Sequence, residues 1–263
     1  MKKLILLIAC FYSFTISAQE KAVQNKWAIK VMGSVDYAYR NLSVNHSKEY
    51  IETTPDGTNH NISQLIVDYL NKHQKPICAY TTEIAASYKI CPKITLELGI
   101  TFAKRGKKAV YDFLLSPHSS LFTSSTNPYF IPYADDKEID YINYYYVDIS
   151  PKINFYIIKH KSLSFYATAG ILPSFLVKSK IRYVLYHGGN KKVENSNDPY
   201  YGDLNTFSLG ALAGIGIEWA INNHYHLFFQ PTVRYFSLPI GEFYGVEERL
   251  YSGGAVLGLS YNF

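Results

Sequence analysis

The chain has 263 residues, of which 26 are Lys or Arg and 21 are Asp or Glu, and its formal net charge is +5. This mild, dispersed charge excludes a basic nucleic-acid-binding domain. Hydrophobic residues make up 48% of the chain, which excludes disorder, yet no apolar run of about 18 residues occurs, so a transmembrane helix is excluded as well. The 25 Tyr and 15 Phe favour strands and membrane interfaces.

The first residues have the pattern of a secretory signal. Two lysines precede an apolar segment over residues 4–16, and small residues end it. This order predicts a signal peptide over 1–18 and a single domain over 19–263. A lipoprotein signal that uses Cys10 is the competing interpretation, but the apolar segment is short before Cys10 and continues beyond it.

Apolar and polar residues then alternate with period two in eight segments. In the last one, the odd positions from Tyr251 to Phe263 are mostly apolar, whereas the even positions are small or polar. Such strands are expected in a membrane barrel, where one face meets lipid and the other lines the lumen. The predicted strands are 27–41, 79–90, 93–104, 141–158, 163–178, 206–221, 224–237 and 249–263.

The connections between these strands alternate between short turns and long loops. This pattern predicts an all-β fold, an eight-stranded antiparallel transmembrane β-barrel of up-and-down topology in the bacterial outer membrane. The short turns and both termini are then expected in the periplasm, and the long loops outside the cell. A soluble β-sandwich or a lipocalin-like barrel also alternates, but it would expose the polar face and bury the apolar one.

The first long loop contains a segment with helical periodicity. Ile62, Leu65, Ile66 and Tyr69 recur at the spacing of one helical face, and Asn61 precedes them as a helix cap. A short amphipathic helix is therefore predicted. It either folds over the mouth of the barrel or serves as a docking helix for a partner.

Ten charged residues fall on the predicted inner face. The lumen of an eight-stranded barrel is just wide enough for side chains, and an unpaired charge there would cost several kcal/mol. We therefore predict a salt-bridge network that fills the lumen. An ion path or a pair of catalytic carboxylates is the alternative. The ten residues are Lys30, Asp36, Arg40, Glu83, Lys89, Glu97, Asp148, Lys152, Glu218 and Arg234.

Tyrosines in the predicted long loops are candidates for recognition, because amphipathic Tyr side chains are common at binding surfaces. A cap in which these rings pack on one another is the alternative. The candidates are Tyr111, Tyr129, Tyr133, Tyr183 and Tyr200. At the end of the chain, Tyr261 and Phe263 are predicted to form the signal for assembly into the membrane.

Catalytic, metal and cofactor chemistry finds little support in the sequence. Cys78 and Cys91 on one strand would lie roughly 40 Å apart, too far for a disulfide, and no CxxC spacing occurs. A lipid-modifying enzyme needs a His and a Ser on a rigid strand, whereas His118 and its neighbours Ser119 and Ser120 fall in a loop. We therefore expect a non-enzymatic protein with no catalytic residues, bound metal or cofactor.

Five short motifs of the chain are similar to those of a known family, and they lie at 98–100, 103–106, 145–151, 214–218 and 258–263. In these motifs the chain resembles the PorT-type family of small outer-membrane β-barrels of Bacteroidota. Within the tyrosine-rich strand, Asp148 replaces the glutamate of the family pattern, and Ser150 is inserted before Pro151. The resemblance covers nearly all of the mature chain. It implies the barrel fold and an outer-membrane location, and it implies little about activity.

These observations favour a non-enzymatic barrel with a plugged lumen that presents its extracellular loops to partners. An accessory subunit of an outer-membrane assembly or secretion complex is the leading interpretation. The alternatives are a free-standing structural or adhesin-like barrel, a narrow pore and, last, a lipid-modifying enzyme. The expected partners are outer-membrane lipid and lipopolysaccharide, the barrel-assembly machinery during insertion, and other outer-membrane or surface proteins, with no nucleic acid.

Overall fold

The alternating segments form strands in the computed structural model of the protein, which describes residues 26–53, 57–112, 137–160, 162–187, 190–196, 204–243 and 245–263. In chain order the elements are β1 (Trp27–Val44), β2 (Ile51–Thr53), β3 (Asn59–Asn61), α1 (Ile62–His73), β4 (Gln74–Lys75), β5 (Ile77–Cys91), β6 (Ile94–Asp112), β7 (Lys137–Lys159), β8 (Leu163–His187), β9 (Asn190–Ser196), β10 (Phe207–Ala220), β11 (Tyr225–Phe236), β12 (Gly241–Phe243) and β13 (Val246–Asn262). Among the described residues, no helix has both the length and the apolar composition needed to cross a membrane.

Eight of these strands close into a ring. The order around the ring is β1, β5, β6, β7, β8, β10, β11 and β13, and every pair of neighbours is antiparallel. The first and last strands complete it, because β1 pairs with β13 from Ala28 opposite Asn262 to Val44 opposite Val246. The prediction of an eight-stranded up-and-down antiparallel barrel is therefore confirmed.

The two ends of the ring differ in their connections. At one end, which we call the turn end, β5, β7 and β10 are joined to their neighbours by short turns, and the amide of Phe263 donates to the carbonyl of Trp27 at 3.1 Å. The opposite end, the loop end, carries the longer connections with the short strands β2, β3, β4, β9 and β12 and the helix α1.

The outer face of the ring is apolar over a band shared by all eight strands. Its side chains are unusually exposed for their type; Leu98 is 58% exposed, Ile100 66% and Leu257 56%. A water-soluble protein does not leave a continuous surface of this kind in contact with solvent. The band matches the lipid-facing belt of a transmembrane barrel, in which every strand is paired and no edge is left in the hydrocarbon.

Three strands rise beyond this band at the loop end. We call this extension the wall; it comprises residues 105–112 of β6, 137–144 of β7, 179–187 of β8 and the strand β9, which pairs with β8. The predicted strands ended at 104, began at 141 and ended at 178, so all of the wall except residues 141–144 lies in segments that the sequence analysis assigned to loops.

The division between the two faces changes in the wall. Its inner face becomes partly apolar, because Ile142, Tyr144, Ile181 and Tyr183 are buried there in one hydrophobic cluster beside charged residues. Its outer face gains cations such as Lys108 and Lys180 and keeps one apolar row that includes Ile139. The wall therefore has the arrangement of a protein that stands in water.

A β-bulge in β8 lies between the part of this strand in the lipid-facing band and its part in the wall. Tyr145 of β7 pairs with Lys178, but the next residue, Tyr146, pairs with Leu176, so Val177 is an extra residue. A single extra residue shifts the inside–outside alternation by one position. Phe175 faces outward below the bulge and Lys178 faces outward above it.

The helix α1 covers the loop end of the ring. Asn61 caps it by accepting a hydrogen bond from the amide of Gln64 at 3.0 Å, which confirms the predicted helix and its cap. The buried residues are Ser63, Val67 and Leu70, whereas Leu65, predicted on the apolar face, is 56% exposed. The apolar face is shifted because it packs on Leu42, Ala109 and Val246 of the strands below it.

Candidate functional site

A chain of ion pairs fills the part of the lumen nearest the turn end. Glu97 of β6 accepts hydrogen bonds from Lys30 and from Lys152, both at 2.6 Å, and Lys152 also reaches Glu83 at 2.7 Å. The amide of Asn154 donates to Glu97 at 3.1 Å. These side chains come from β1, β5, β6 and β7, which are consecutive in the ring, so the network joins the strands of one half of the barrel.

Apolar side chains fill the space between these charges. Met32, Ala85, Phe228 and Val256 form a small buried cluster on the inner face, and the ammonium of Lys30 lies 5.1 Å from the centre of the Phe228 ring. With charges paired and gaps filled, little of the desolvation cost of the buried lysines is left uncompensated.

Two further pairs lie nearer the loop end. Arg234 donates to Asp36 at 2.8 Å, and Ser34 donates to the same carboxylate at 3.1 Å. Arg105 forms a two-pronged contact with Asp148, and its guanidinium lies 4.2 Å from the ring centre of Phe236. Two-pronged contacts of this kind fix the planar guanidinium in orientation as well as in position.

The loop end of the lumen is closed by a third cluster below α1. Glu248 of β13 accepts from Arg40 at 3.3 Å and from Lys107, and Arg40 also donates to Gln74 at 2.9 Å. Outside this cluster, one ion pair joins the connection that follows β1 to the connection that precedes β13. In it, Lys48 donates to Glu242 at 2.8 Å, and this hydrogen bond raises the pKa of Lys48.

A polar cavity of about 760 Å³ opens at the turn end. We call it the vestibule; its lining includes Lys26, Lys30, Lys89, Lys159, His224 and His226. Inside it, Glu218 accepts from Tyr156 at 2.7 Å and contacts Nδ1 of His226 at 2.6 Å. Nε2 of that histidine is 3.0 Å from the side-chain amide of Asn262.

The ten charged residues predicted for the lumen all lie at inner-face positions of the strands. Nine of them take part in the contacts just described, and Lys89 lines the vestibule. The structure thus brings these residues into one space, where acids and bases are interleaved rather than grouped by sign.

Five buried charges at the loop end were not predicted from the sequence. They are Arg105, Lys107, Glu138, Asp140 and Glu248. Each lies just beyond a predicted strand end, where charges appear on both faces and the apolar alternation stops. The period of two nevertheless continues there, and this signal could have identified them.

The structure corrects the interpretation of two recognition candidates. Tyr183 was predicted on an exposed loop, but it lies on β8 and is buried in the wall, because the bulge at Val177 turns the odd positions inward. The backbone of Tyr111 belongs to β6, opposite Glu138, rather than to a loop. Tyr129, Tyr133 and Tyr200, like His118, lie outside the described residues.

The two predicted assembly residues lie on the outer surface of the turn end. Tyr261 packs against Tyr225 with ring centres 5.1 Å apart and against Phe263 at 5.2 Å. Phe263 is 56% exposed. Their role as a signal stays a prediction.

Metal and thiol chemistry have few groups to draw on in the described part of the chain. Cys78 and Cys91 are free thiols on the same strand, β5. No three His, Cys, Asp or Glu residues within the described ranges come together as a metal site.

No known family model matches the chain, and no curated protein matches it. The resemblance to the PorT-type family therefore stays a prediction. Solved structures do resemble it in fold. Neisserial surface protein A is 13% identical, with 90% of this chain and 97% of that one covered and a TM-score of 0.38.

Two further structures have similar values. Ail, the attachment invasion locus protein of Yersinia pestis, is 9% identical, with 91% of this chain and 100% of that one covered and a TM-score of 0.34. The outer-membrane protease OmpT from Escherichia coli is 9% identical, with coverage of 93% and 99% and a TM-score of 0.43. On its own geometry, with a closed antiparallel ring, a lipid-facing exterior and paired interior charges, the chain is an outer-membrane β-barrel protein.

Proposed function

We propose that the protein is a non-enzymatic, non-conducting barrel that presents its wall and loop end to a partner outside the cell. The observation that carries this proposal is the contrast between a lumen filled by paired charges and a wall that projects beyond the membrane. The partner is either a neighbouring outer-membrane protein, as for an accessory subunit, or a surface molecule, as for an adhesin-like barrel.

The packing of the lumen favours this function over that of a pore. An ion that crossed the barrel would have to pass the pairs around Glu97, the contact of Arg105 with Asp148 and the cluster below α1. Breaking a buried ion pair of this kind costs about 3–5 kcal/mol. A steady open state would require several such pairs to be broken together.

The vestibule contains an acid–histidine pair, which is one component of a hydrolase site. In a catalytic triad the second nitrogen of the histidine faces a nucleophilic hydroxyl. Here Nε2 of His226 faces the amide of Asn262, while Nδ1 is held by Glu218. This arrangement supports a structural role for the pair.

The orientation in the membrane is part of the proposal. Outer-membrane barrels have short periplasmic turns and longer loops outside the cell. By this rule the turn end, with Trp27 and Phe263, faces the periplasm, and the wall stands outside. The proposal includes removal of residues 1–18 during export and the use of Tyr261 and Phe263 during assembly.

The outer face of the wall offers two tyrosines as contacts for a partner. Tyr141 and Tyr186 face away from the buried cluster, and their rings lie 5.2 Å and 4.8 Å from the ammonium groups of Lys108 and Lys137. Tyrosine is enriched among the residues that dominate the binding energy of protein interfaces.

The test is the native size of the protein extracted from its own membrane in mild detergent, together with its conductance in a planar bilayer. We expect a larger species with stoichiometric partners, or a lone barrel that captures a surface molecule, and no steady conductance. Tyr141→Ala combined with Tyr186→Ala should release the partner, whereas Tyr225→Ala at the turn end should not. Steady single-channel conductance, or partners retained by the double variant, would contradict the proposal.

A further inference from the structure

A group of cations lies on the outer face of the barrel where the lipid-facing band ends and the wall begins. None of these residues belongs to the lumen network, and one of them, Lys108, also lies over Tyr141, which is proposed above as a contact for a protein partner. We call the group the basic ledge; its members are Lys104, Lys108, Lys178, Lys180 and Arg182. Phe102, the outward residue before Lys104 on β6, still belongs to the apolar band.

Strand pairing places these cations side by side on three adjacent strands. Lys104 and Lys178 flank Tyr145 in one row, and Lys108 and Arg182 flank a second tyrosine four residues nearer the loop end. With neighbouring strands about 4.8 Å apart and a rise of about 3.4 Å per residue, the ledge covers roughly 10 by 14 Å. A surface of that size matches a headgroup with more than one phosphate.

Aromatic rings separate the cations of the ledge. Such rings hold an ammonium by cation–π attraction and are also the residues that mark membrane interfaces. The distances from nitrogen to ring centre are 5.8 Å for Lys104 over Tyr80, 6.0 Å for Lys180 over Tyr145 and 5.2 Å for Lys108 over Tyr141.

The ledge carries no carboxylate of its own. The outward positions within it are occupied by Lys, Arg, Tyr, Asn143 and Gly106, and no ion pair between described residues includes one of its members. On β13, which lies opposite β7 in the ring, Arg249 contacts Glu247 and donates to Ser43 at 2.6 Å. The charge of that arginine is therefore balanced by a carboxylate, in contrast to the cations of the ledge.

The bulge in β8 is the device that turns three of these cations outward. Without the extra residue Val177, the alternation of the spanning part would continue and direct Lys178, Lys180 and Arg182 into the barrel. Because the bulge re-aims them, the strand places them at the lipid boundary while Ile181 and Tyr183 stay buried.

We propose that the basic ledge binds the phosphate groups of an outer-leaflet glycolipid whose acyl chains lie on Phe102, Phe175 and Val177 just below it. The inference rests on the proposed orientation, in which the wall stands outside the cell. Charge complementarity selects a phosphorylated ligand, since cations next to a membrane surface attract anionic headgroups. Continuity with the apolar band selects a lipid rather than a soluble anion, because the three apolar side chains are 42%, 45% and 64% exposed.

The test uses the full-length barrel in phosphatidylcholine vesicles that contain a small fraction of diphosphorylated lipid A. Native mass spectrometry then counts the lipid A molecules retained by the protein. The ledge variant is Lys104→Gln, Lys178→Gln and Lys180→Gln. The control removes three exposed lysines elsewhere, as Lys26→Gln, Lys72→Gln and Lys93→Gln, so that both variants have the same net charge.

We expect the ledge variant to need at least about tenfold more lipid A for equal occupancy, and the control to bind as the unchanged protein does. Equal losses in both variants would overturn the proposal, because net charge alone would then explain binding. Equal retention of dephosphorylated lipid, or displacement by inorganic phosphate at equal concentration, would also overturn it.

A separate measurement tests the orientation. Lys180→Cys, in a background with Cys78→Ser and Cys91→Ser, is treated on whole cells with a maleimide that does not cross membranes. Labelling supports the orientation on which the ledge depends. If labelling requires permeabilised cells, the proposed function fails, and the lipid A measurement shows independently whether the ledge binds phosphate.

Discussion

The membrane-spanning part and the wall are made of the same strands, yet the polarity of their faces differs. In the spanning part Leu98 faces outward and Glu97 inward, whereas in the wall Lys108 faces outward and Tyr144 inward. The comparison teaches that alternation alone does not determine which face is apolar. The surrounding medium determines it, because lipid requires an apolar exterior and water allows an apolar core.

The largest effect is expected inside the spanning part. Glu97→Gln removes the carboxylate shared by Lys30 and Lys152, so buried Lys30 loses its ion-pair partner and Lys152 keeps only Glu83. We expect the free energy of unfolding, measured by urea titration in lipid vesicles, to fall by about 3–5 kcal/mol. Glu194→Gln removes the exposed partner of Lys192 and should change it by less than about 1 kcal/mol. Equal effects would mean that the ionic interior contributes no more than a surface pair.

Introducing a lysine on the outer face of each part tests directly whether the spanning part lies in lipid and the wall in water. Leu98→Lys puts a charge in the middle of the lipid-facing band and should cost about 2–4 kcal/mol in the same titration. Ile139→Lys makes the same chemical change on the outer face of the wall and should stay within about 0.5 kcal/mol. If Ile139→Lys proved as costly as Leu98→Lys, the wall would not stand in water.

Substitutions at two adjacent glycines are expected to have a smaller effect on stability, and they test which face of β13 each position occupies. A Cβ at Gly254, on the inner face, would meet the side chain of Asp36 and the carbonyl of Val35, whereas a Cβ at Gly253, on the outer face, would meet open space. We expect Gly254→Ala to lower the free energy of unfolding by about 1–3 kcal/mol through overpacking. Gly253→Ala serves as the control and should be nearly neutral, and the reverse order would show that the faces are misassigned.

Much of the spanning part could be predicted from the sequence, because period two assigns each residue to one face. Lys30, Glu97 and Lys152 were placed inside the lumen by this rule alone. Their mutual contacts could not be predicted, since they depend on how far each strand is staggered against strands that are distant in the chain.

The wall could not be predicted for a related reason. Lys104 and Arg105 place charge on both faces at the point where the polarity exchanges, so the apolar signal ends there although the strand continues. Val177 adds a second difficulty, because one unrecognised extra residue inverts every later position, and Tyr183, which was predicted on an exposed loop, is buried on the inner face of the wall. Bulges leave no composition signal that a single sequence shows.

The pairing of β1 with β13 has a consequence for the order of assembly. These strands are the first and the last of the ring, so the seam between them cannot form until the segment from Val246 to Asn262 has been exported. Bringing the two ends of so long a chain together costs more conformational entropy than pairing strands that are close in sequence. Until that moment both edges have unsatisfied amides and carbonyls that would pair with any other available strand. Timing at this seam, more than the strength of any one contact, decides whether the exported chain becomes a barrel or an aggregate.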